Sequence, residues 1–174
     1  MNNRFSRRGF LVRSLVSIAA VSLGGLGKTH AQAAKWGNRQ LLIDLELNRP
    51  GGRYNRPYVA VWIEDSNGVI VRTLAVWGQP DEYLSELKRW FNLTNGNGSV
   101  SGATRNPGAY QVQWDGKNDK KLEVTQGTYF VCVEAAREKG TYQLIREKIT
   151  CHETPFRKSL SGNTEIKGVG LEYR

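Results

Sequence analysis

Two histidines, two cysteines and one methionine are all that the 174 residues hold of imidazole and sulfur side chains. His30 falls in the N-terminal segment treated below, which leaves His152 as the one candidate base of imidazole type. A Ser-His-Asp or Cys-His arrangement needs such a base beside a nucleophile, and no recognisable nucleophile motif accompanies it, so catalysis of that kind is not expected. Cys151, His152 and Glu153 are contiguous. Neighbours along a strand point to opposite faces, so they read as a surface turn and no metal site is assigned. A basic stripe is also missing, which argues against nucleic acid as a partner. So is a long apolar run: Leu15 to Leu26 falls well short of the roughly 20 residues that a spanning helix needs.

What stands around that short run is a targeting signal. Ser6-Arg7-Arg8-Gly9-Phe10-Leu11 is a twin-arginine motif, with Arg7 and Arg8 as its core, and Ala31-Gln32-Ala33 gives the small-x-small pattern that signal peptidase accepts. Residues 1–33 are therefore expected to be a twin-arginine signal peptide, with Ala31 and Ala33 marking the cleavage region, and 34–174 a single domain delivered to the periplasm. The partners expected during export are the twin-arginine translocase and signal peptidase. Arg4, Arg7, Arg8, Arg13 and Lys28 lie in the signal, which has no acidic residue, so of 25 basic residues 20 remain against 16 acidic ones. The surplus of four is mild and spread along the chain.

The mature region reads as strands. Leu41, Ile43, Leu45 and Leu47 alternate with Asp44 and Glu46, the period of two of a half-buried strand over 40–47. Segments 57–64 and 69–77 flank Asp65-Ser66-Asn67-Gly68, whose Asn-Gly signals a hairpin turn. Tyr110, Val112 and Trp114, and then Tyr129, Val131 and Val133, alternate in two strands that the pattern reads as a central hairpin around Asp115-Gly116-Lys117-Asn118-Asp119. Asp115, Asn118 and Asp119 miss the alternate-position spacing of a calcium loop, and Lys117 and Lys120 stand among them, so Asx hydrogen bonds within a turn are expected instead. A strand over 141–151 follows a turn at Lys139-Gly140, and Val169, Leu171 and Tyr173 mark a last one over 165–173. That hairpin would set Cys132 opposite about residue 147 or 148, too far from Cys151 for a bridge, so the cysteines are expected to be free.

One helix is expected, over 81–91. Tyr83, Leu84, Leu87, Trp90 and Phe91 recur at helical spacing, with Asp81 and Glu82 in its first turn and Lys88 and Arg89 in its last. Its apolar stripe is read as a cap on an open end of the core. Seven or eight short strands with turns every 8 to 12 residues predict an all-β fold, an antiparallel immunoglobulin-like β-sandwich with one short inserted helix.

Trp114-Asp115-Gly116-Lys117-Asn118-Asp119 followed by Gly127-Thr128-Tyr129 resembles the hairpin of the immunoglobulin-like module in flagellar hook-capping proteins. Together with 56–62, Ser101 to Arg105 and 133–138, it makes the mature chain resemble the bacterial family called domain of unknown function 2271. The resemblance implies an exported periplasmic sandwich protein without established activity, often encoded beside PepSY-type membrane proteins and flavin transferases. It therefore implies a non-enzymatic accessory or binding module working with a PepSY-type membrane protein. The family's glycine near position 121 is missing here, where Lys121 stands, so a loop of different shape is expected.

Ser101-Gly102-Ala103-Thr104 resembles the attachment motif of proteins that carry FMN on threonine through a phosphoester made by a FAD:protein FMN transferase. That resemblance implies the alternative function, a redox carrier with FMN covalently attached to Thr104 and with Ser101, Gly102 and Ala103 as the surrounding recognition residues. An aspartate commonly stands six residues before the threonine; here that residue is Gly98. The plain alternative is a small-residue turn before Pro107-Gly108.

Overall fold

Eight strands pair into two four-stranded antiparallel sheets that pack face to face: β1 Leu41–Leu47, β2 Tyr58–Glu64, β3 Ile70–Trp77, β4 Gly108–Trp114, β5 Gly127–Ala136, β6 Tyr142–Cys151, β7 Phe156–Ser161 and β8 Ile166–Tyr173. The structure, a computed structural model, describes residues 34–174 except Pro50, Arg53 and Pro80. The twin-arginine motif with Arg7 and Arg8, and the cleavage region at Ala31 and Ala33, lie outside the described residues. One sheet runs β4-β1-β8-β7 and the other β3-β2-β5-β6. The fold is the expected all-β sandwich.

Alternation decides which side chains meet between the sheets. Leu41, Ile43, Leu45 and Leu47 of β1 face Val61 and Ile63 of β2 and Val131 and Val133 of β5 across a continuous buried cluster, while Asp44 and Glu46 are exposed. At one end of that cluster Trp36 and Trp114 lie 4.3 Å apart between ring centroids, and Trp114 meets Tyr129 edge-on at 5.0 Å. Gly116 closes this end. Its φ of +69° suits glycine, and a Cβ there would lie 2.0 Å from Trp36 Cγ.

The structure alters three parts of the expected arrangement. Strands β4 and β5 are not a hairpin: β4 pairs with β1, β5 pairs with β2 and β6, and the polar loop between them crosses from one sheet to the other. Trp114 and Tyr129 therefore meet across the sandwich rather than along one sheet. The expected helix over 81–91 is a 3-10 helix, Asp81–Glu86, followed by α1, Lys88–Leu93, so Lys88 opens the α-helix instead of ending it. Nor does this segment cap an end of the core. Leu84, Leu87 and Trp90 pack on the outer face of the second sheet, over Tyr58, Ala60, Trp62, Val76, Cys132 and Ala136, and make a second core.

This second core explains why β2 is buried along its whole length. It also contains charge. Glu64 is fully buried and accepts hydrogen bonds from Trp62 Nε1 at 3.0 Å, from Arg89 Nε at 2.8 Å and from Arg146 Nε at 2.8 Å. Glu134, also fully buried, accepts from the backbone N–H groups of Arg89 and Trp90 at 2.8 and 2.9 Å. A strand carboxylate thus satisfies the unpaired donors at the start of α1, the role that a side chain at the helix's own N-cap usually fills.

Candidate functional site

The segment 98–105 is attached along the edge of the second sheet. β3 is the edge strand there, and its free backbone groups are met by side chains and loop backbone instead of another full strand. Ser101 Oγ accepts from Val76 N at 2.8 Å and donates to Val76 O at 3.0 Å, while the Ser101 backbone N donates to the same carbonyl at 2.7 Å. Gly102 forms a parallel bridge with Trp77, and its carbonyl accepts from Gly78 N at 2.9 Å. Ser101 and Gly102 are therefore structural anchors.

The other end of the segment is held by aromatic packing. The Arg105 guanidinium lies 4.8 Å from the Trp77 ring centroid and 5.8 Å from that of Tyr110, a cation–π arrangement. Tyr110 OH donates to Asn106 O at 2.8 Å and closes the Asn106-Pro107-Gly108 turn. Arg105 Nε is buried without a hydrogen-bond partner among the described residues. Between the two anchors Ala103 is exposed and Thr104 half-buried, and the Thr104 side chain makes no hydrogen bond among the described residues. Its hydroxyl is thus left free on a backbone fixed at both ends.

Gly98 has a packing reason. A Cβ at this position would lie 2.0 Å from Trp90 Cζ2 and 2.2 Å from Cη2, so the loop backbone rests directly on the buried indole. An aspartate here would have to displace Trp90 or the loop. Beside this contact, between the outer edge of β3 and loop 93–101, opens a cleft of about 570 Å³ with Ser101 at its rim. Thr104 itself does not line it.

The remaining sequence candidates do not converge. His152 and Glu153 are exposed beyond the end of β6, while Cys151 points into the inter-sheet core. Among the described residues no three metal-binding side chains come together. Cys132 pairs with Arg146, one or two residues from the expected position, and belongs to the outer core under α1, so the two free cysteines lie on opposite faces of the sheet. Burial pushes the Cys151 thiol up to about 12 and raises that of Cys132 as well, which leaves both as inert thiols. The Asx reading of 115–119 holds: Asp115 Oδ1 accepts from Lys117 N at 3.1 Å, and Asn118 Oδ1 from Lys120 N and Leu122 N at 3.0 Å each.

Sequence reasoning missed the second anchor and the buried carboxylates. Arg105 stands next to the motif, but its side chain is fixed by Trp77 and Tyr110, which come from two sheets. Glu64 and Glu134 each occupy a strand position facing outward, where solvent was the natural expectation. A pairing of α1 with that face was the missing information.

No curated protein matches the chain. A family model described as predicted periplasmic protein matches residues 40–168, a span holding strands β1 to β7, the Ser101–Thr104 segment and the buried carboxylates Glu64 and Glu134. The chain therefore belongs to the DUF2271 family of periplasmic proteins, the family that its strand and loop motifs resemble.

Proposed function

We propose that this protein is an exported periplasmic carrier module that bears FMN on the hydroxyl of Thr104. The observation that supports this reading is a half-buried threonine hydroxyl without a hydrogen-bond partner among the described residues, held between two anchors and next to the small, exposed Ala103. The small neighbours, Gly102 and Ala103, allow a transferase site to close over the backbone. In the attachment step Thr104 Oγ attacks the FMN phosphorus of FAD. The phosphoanhydride bond to AMP breaks, AMP leaves, and the hydroxyl proton goes to solvent or a transferase base. The product is a phosphodiester, and no oxidant or reductant is consumed. The transferase supplies the metal for this step. This chain supplies a positioned acceptor and, next to it, the Arg105 cation. When bound, the flavin supplies one- and two-electron redox chemistry. The electron partner in this reading is a PepSY-type membrane protein, and export runs through the twin-arginine translocase and signal peptidase.

One observation favours a second reading. Gly98 occupies the place where the attachment motif commonly has aspartate, and its contact with Trp90 leaves no room for a side chain. In that reading the same segment is the docking surface of a cofactor-free accessory module for the PepSY-type protein. Co-expression with a FAD:protein FMN transferase separates the two. The carrier reading expects a flavin-fluorescent band that survives denaturation and is lost in Thr104→Ala. An unlabelled wild-type chain beside an active transferase would leave the accessory module as the function.

A further inference from the structure

The aromatic surface nearest Thr104 is closed to a flavin ring. Trp77 is 6% exposed and is covered by the Arg105 guanidinium and by Tyr110, whose ring centroid lies 5.1 Å away. A ring tethered at Thr104 needs another place to rest, or it remains in solvent. Two concave surfaces flank the segment. One is a trough of about 520 Å³ on the outer face of the first sheet, floored by Gly168 and Gly170 and walled by Asp44, Glu46 and Gln111. The other is the cleft of about 570 Å³ between β3 and loop 93–101.

The chemistry of the second suits an isoalloxazine. Ile70, Leu74, Leu93 and Val100 give it an apolar wall, and Thr73, Asn97 and the carboxylate of Asp119, which accepts from Thr73 N, add polar groups. A dimethylbenzene edge needs the first and a pyrimidine edge with donors and acceptors needs the second. Leu93, 38% exposed, is one of few large apolar side chains left open to solvent among the described residues, and it sits on this cleft. Leu45, Tyr110, Leu160 and Val169 border the trough but pack in the inter-sheet core. The side chains it presents over its glycine floor are therefore Asp44, Glu46, Ala109, Gln111 and Ser159, and none is a large apolar group that could cover a ring.

Reach is satisfied. Ser101 lines the cleft, and three Cα–Cα steps separate it from Thr104, at most about 11 Å. A ribityl phosphate extended over about eight single bonds has a similar length. We infer that the cleft between β3 and loop 93–101 is the resting site of the isoalloxazine of a flavin carried on Thr104. This rests on the carrier reading above. In the docked state the ring's apolar edge is shielded by Leu93 and Leu74, so the flavin is held against the sheet edge rather than free in solvent.

The experiment is acrylamide quenching of flavin fluorescence in protein labelled by co-expression with the transferase, each sample checked by intact mass. Native wild type is expected to show quenching several-fold weaker than the same protein in denaturant. Leu93→Gln, an exposed position outside the motif, is expected to raise the native quenching constant at least about twofold. Gly170→Ala, in the trough, is expected to leave it unchanged, since a Cβ there meets only Asp44 at an ordinary 3.5 Å. Quenching of native wild type as strong as in denaturant, an unchanged Leu93→Gln, or a change in Gly170→Ala alone overturns the assignment while leaving Thr104 as the flavin site. A wild-type mass without flavin overturns the carrier reading and this inference together.

Discussion

At the scale of single residues, the glycines and the positive-φ positions carry the clearest consequences. Gly98→Asp is expected to destabilise the protein, because a Cβ 2.0 Å from a buried indole forces Trp90 or the loop to move. Overpacking of this kind costs about 1 to 3 kcal/mol, measurable as a lower denaturant midpoint. An unchanged midpoint would mean that loop 93–101 yields freely. Lys121 is the converse case. Lys121 stands where the resembled family has glycine, and it takes the left-handed conformation that glycine suits best, φ +64°. Lys121→Gly should therefore raise stability by up to about 1 kcal/mol, the relief of a Cβ in the left-handed region less the entropy that glycine adds to the unfolded chain. Lys121→Val should lower it, since a β-branched side chain tolerates this conformation least. Equal midpoints for all three would remove the argument.

At the scale of elements, the segment 81–93 is the least legible part of the sequence and the most interdependent part of the fold. Its apolar stripe, Leu84, Leu87 and Trp90, is plain at helical spacing, and all three are buried. Two features hid the rest. The stripe continues across a break between a 3-10 and an α-helix, which spacing cannot detect, and the docking face carries carboxylates that alternate like solvent-facing residues. Strand β7 escaped for a related reason: Phe156 and Leu160 are its only large apolar residues, on a sheet edge. The hairpin error around 115–119 arose because turn chemistry is the same whether a loop joins two paired strands or crosses between sheets. The carboxylates make a pH prediction. Burial pushes the Glu64 carboxyl up, but the hydrogen bonds of Arg89, Arg146 and Trp62 outweigh it and hold it at about 2, below its ordinary 4.5. A lowered folded-state pKa means stability present above about 4.5 and lost as pH falls toward 2. Wild type should lose stability across that window more steeply than Glu64→Gln, which is itself less stable at pH 7 because Arg89 and Arg146 lose their common counter-charge. Parallel pH profiles would show that Glu64 does not govern the docking of α1.

At the scale of the whole molecule, the sandwich and its periplasmic family were legible because they rest on periodicity and on motifs spread over most of the mature chain. The candidate site was legible only in part. Ser101 to Thr104 stood out as a motif, but its fixation by Val76, Trp77 and Tyr110, and the cleft beside it, depend on three elements distant in sequence. The described residues form a β-sandwich with one edge strand dressed by a loop whose threonine hydroxyl has no hydrogen-bond partner among them. The measurement that tests this most directly is the intact mass of the protein recovered from a periplasm containing an active FMN transferase. The account predicts a chain beginning at Ala34 and heavier by one FMN phosphodiester, with Thr104→Ala at the unmodified mass. Wild type at the unmodified mass, beside a control acceptor that is fully labelled, would contradict it.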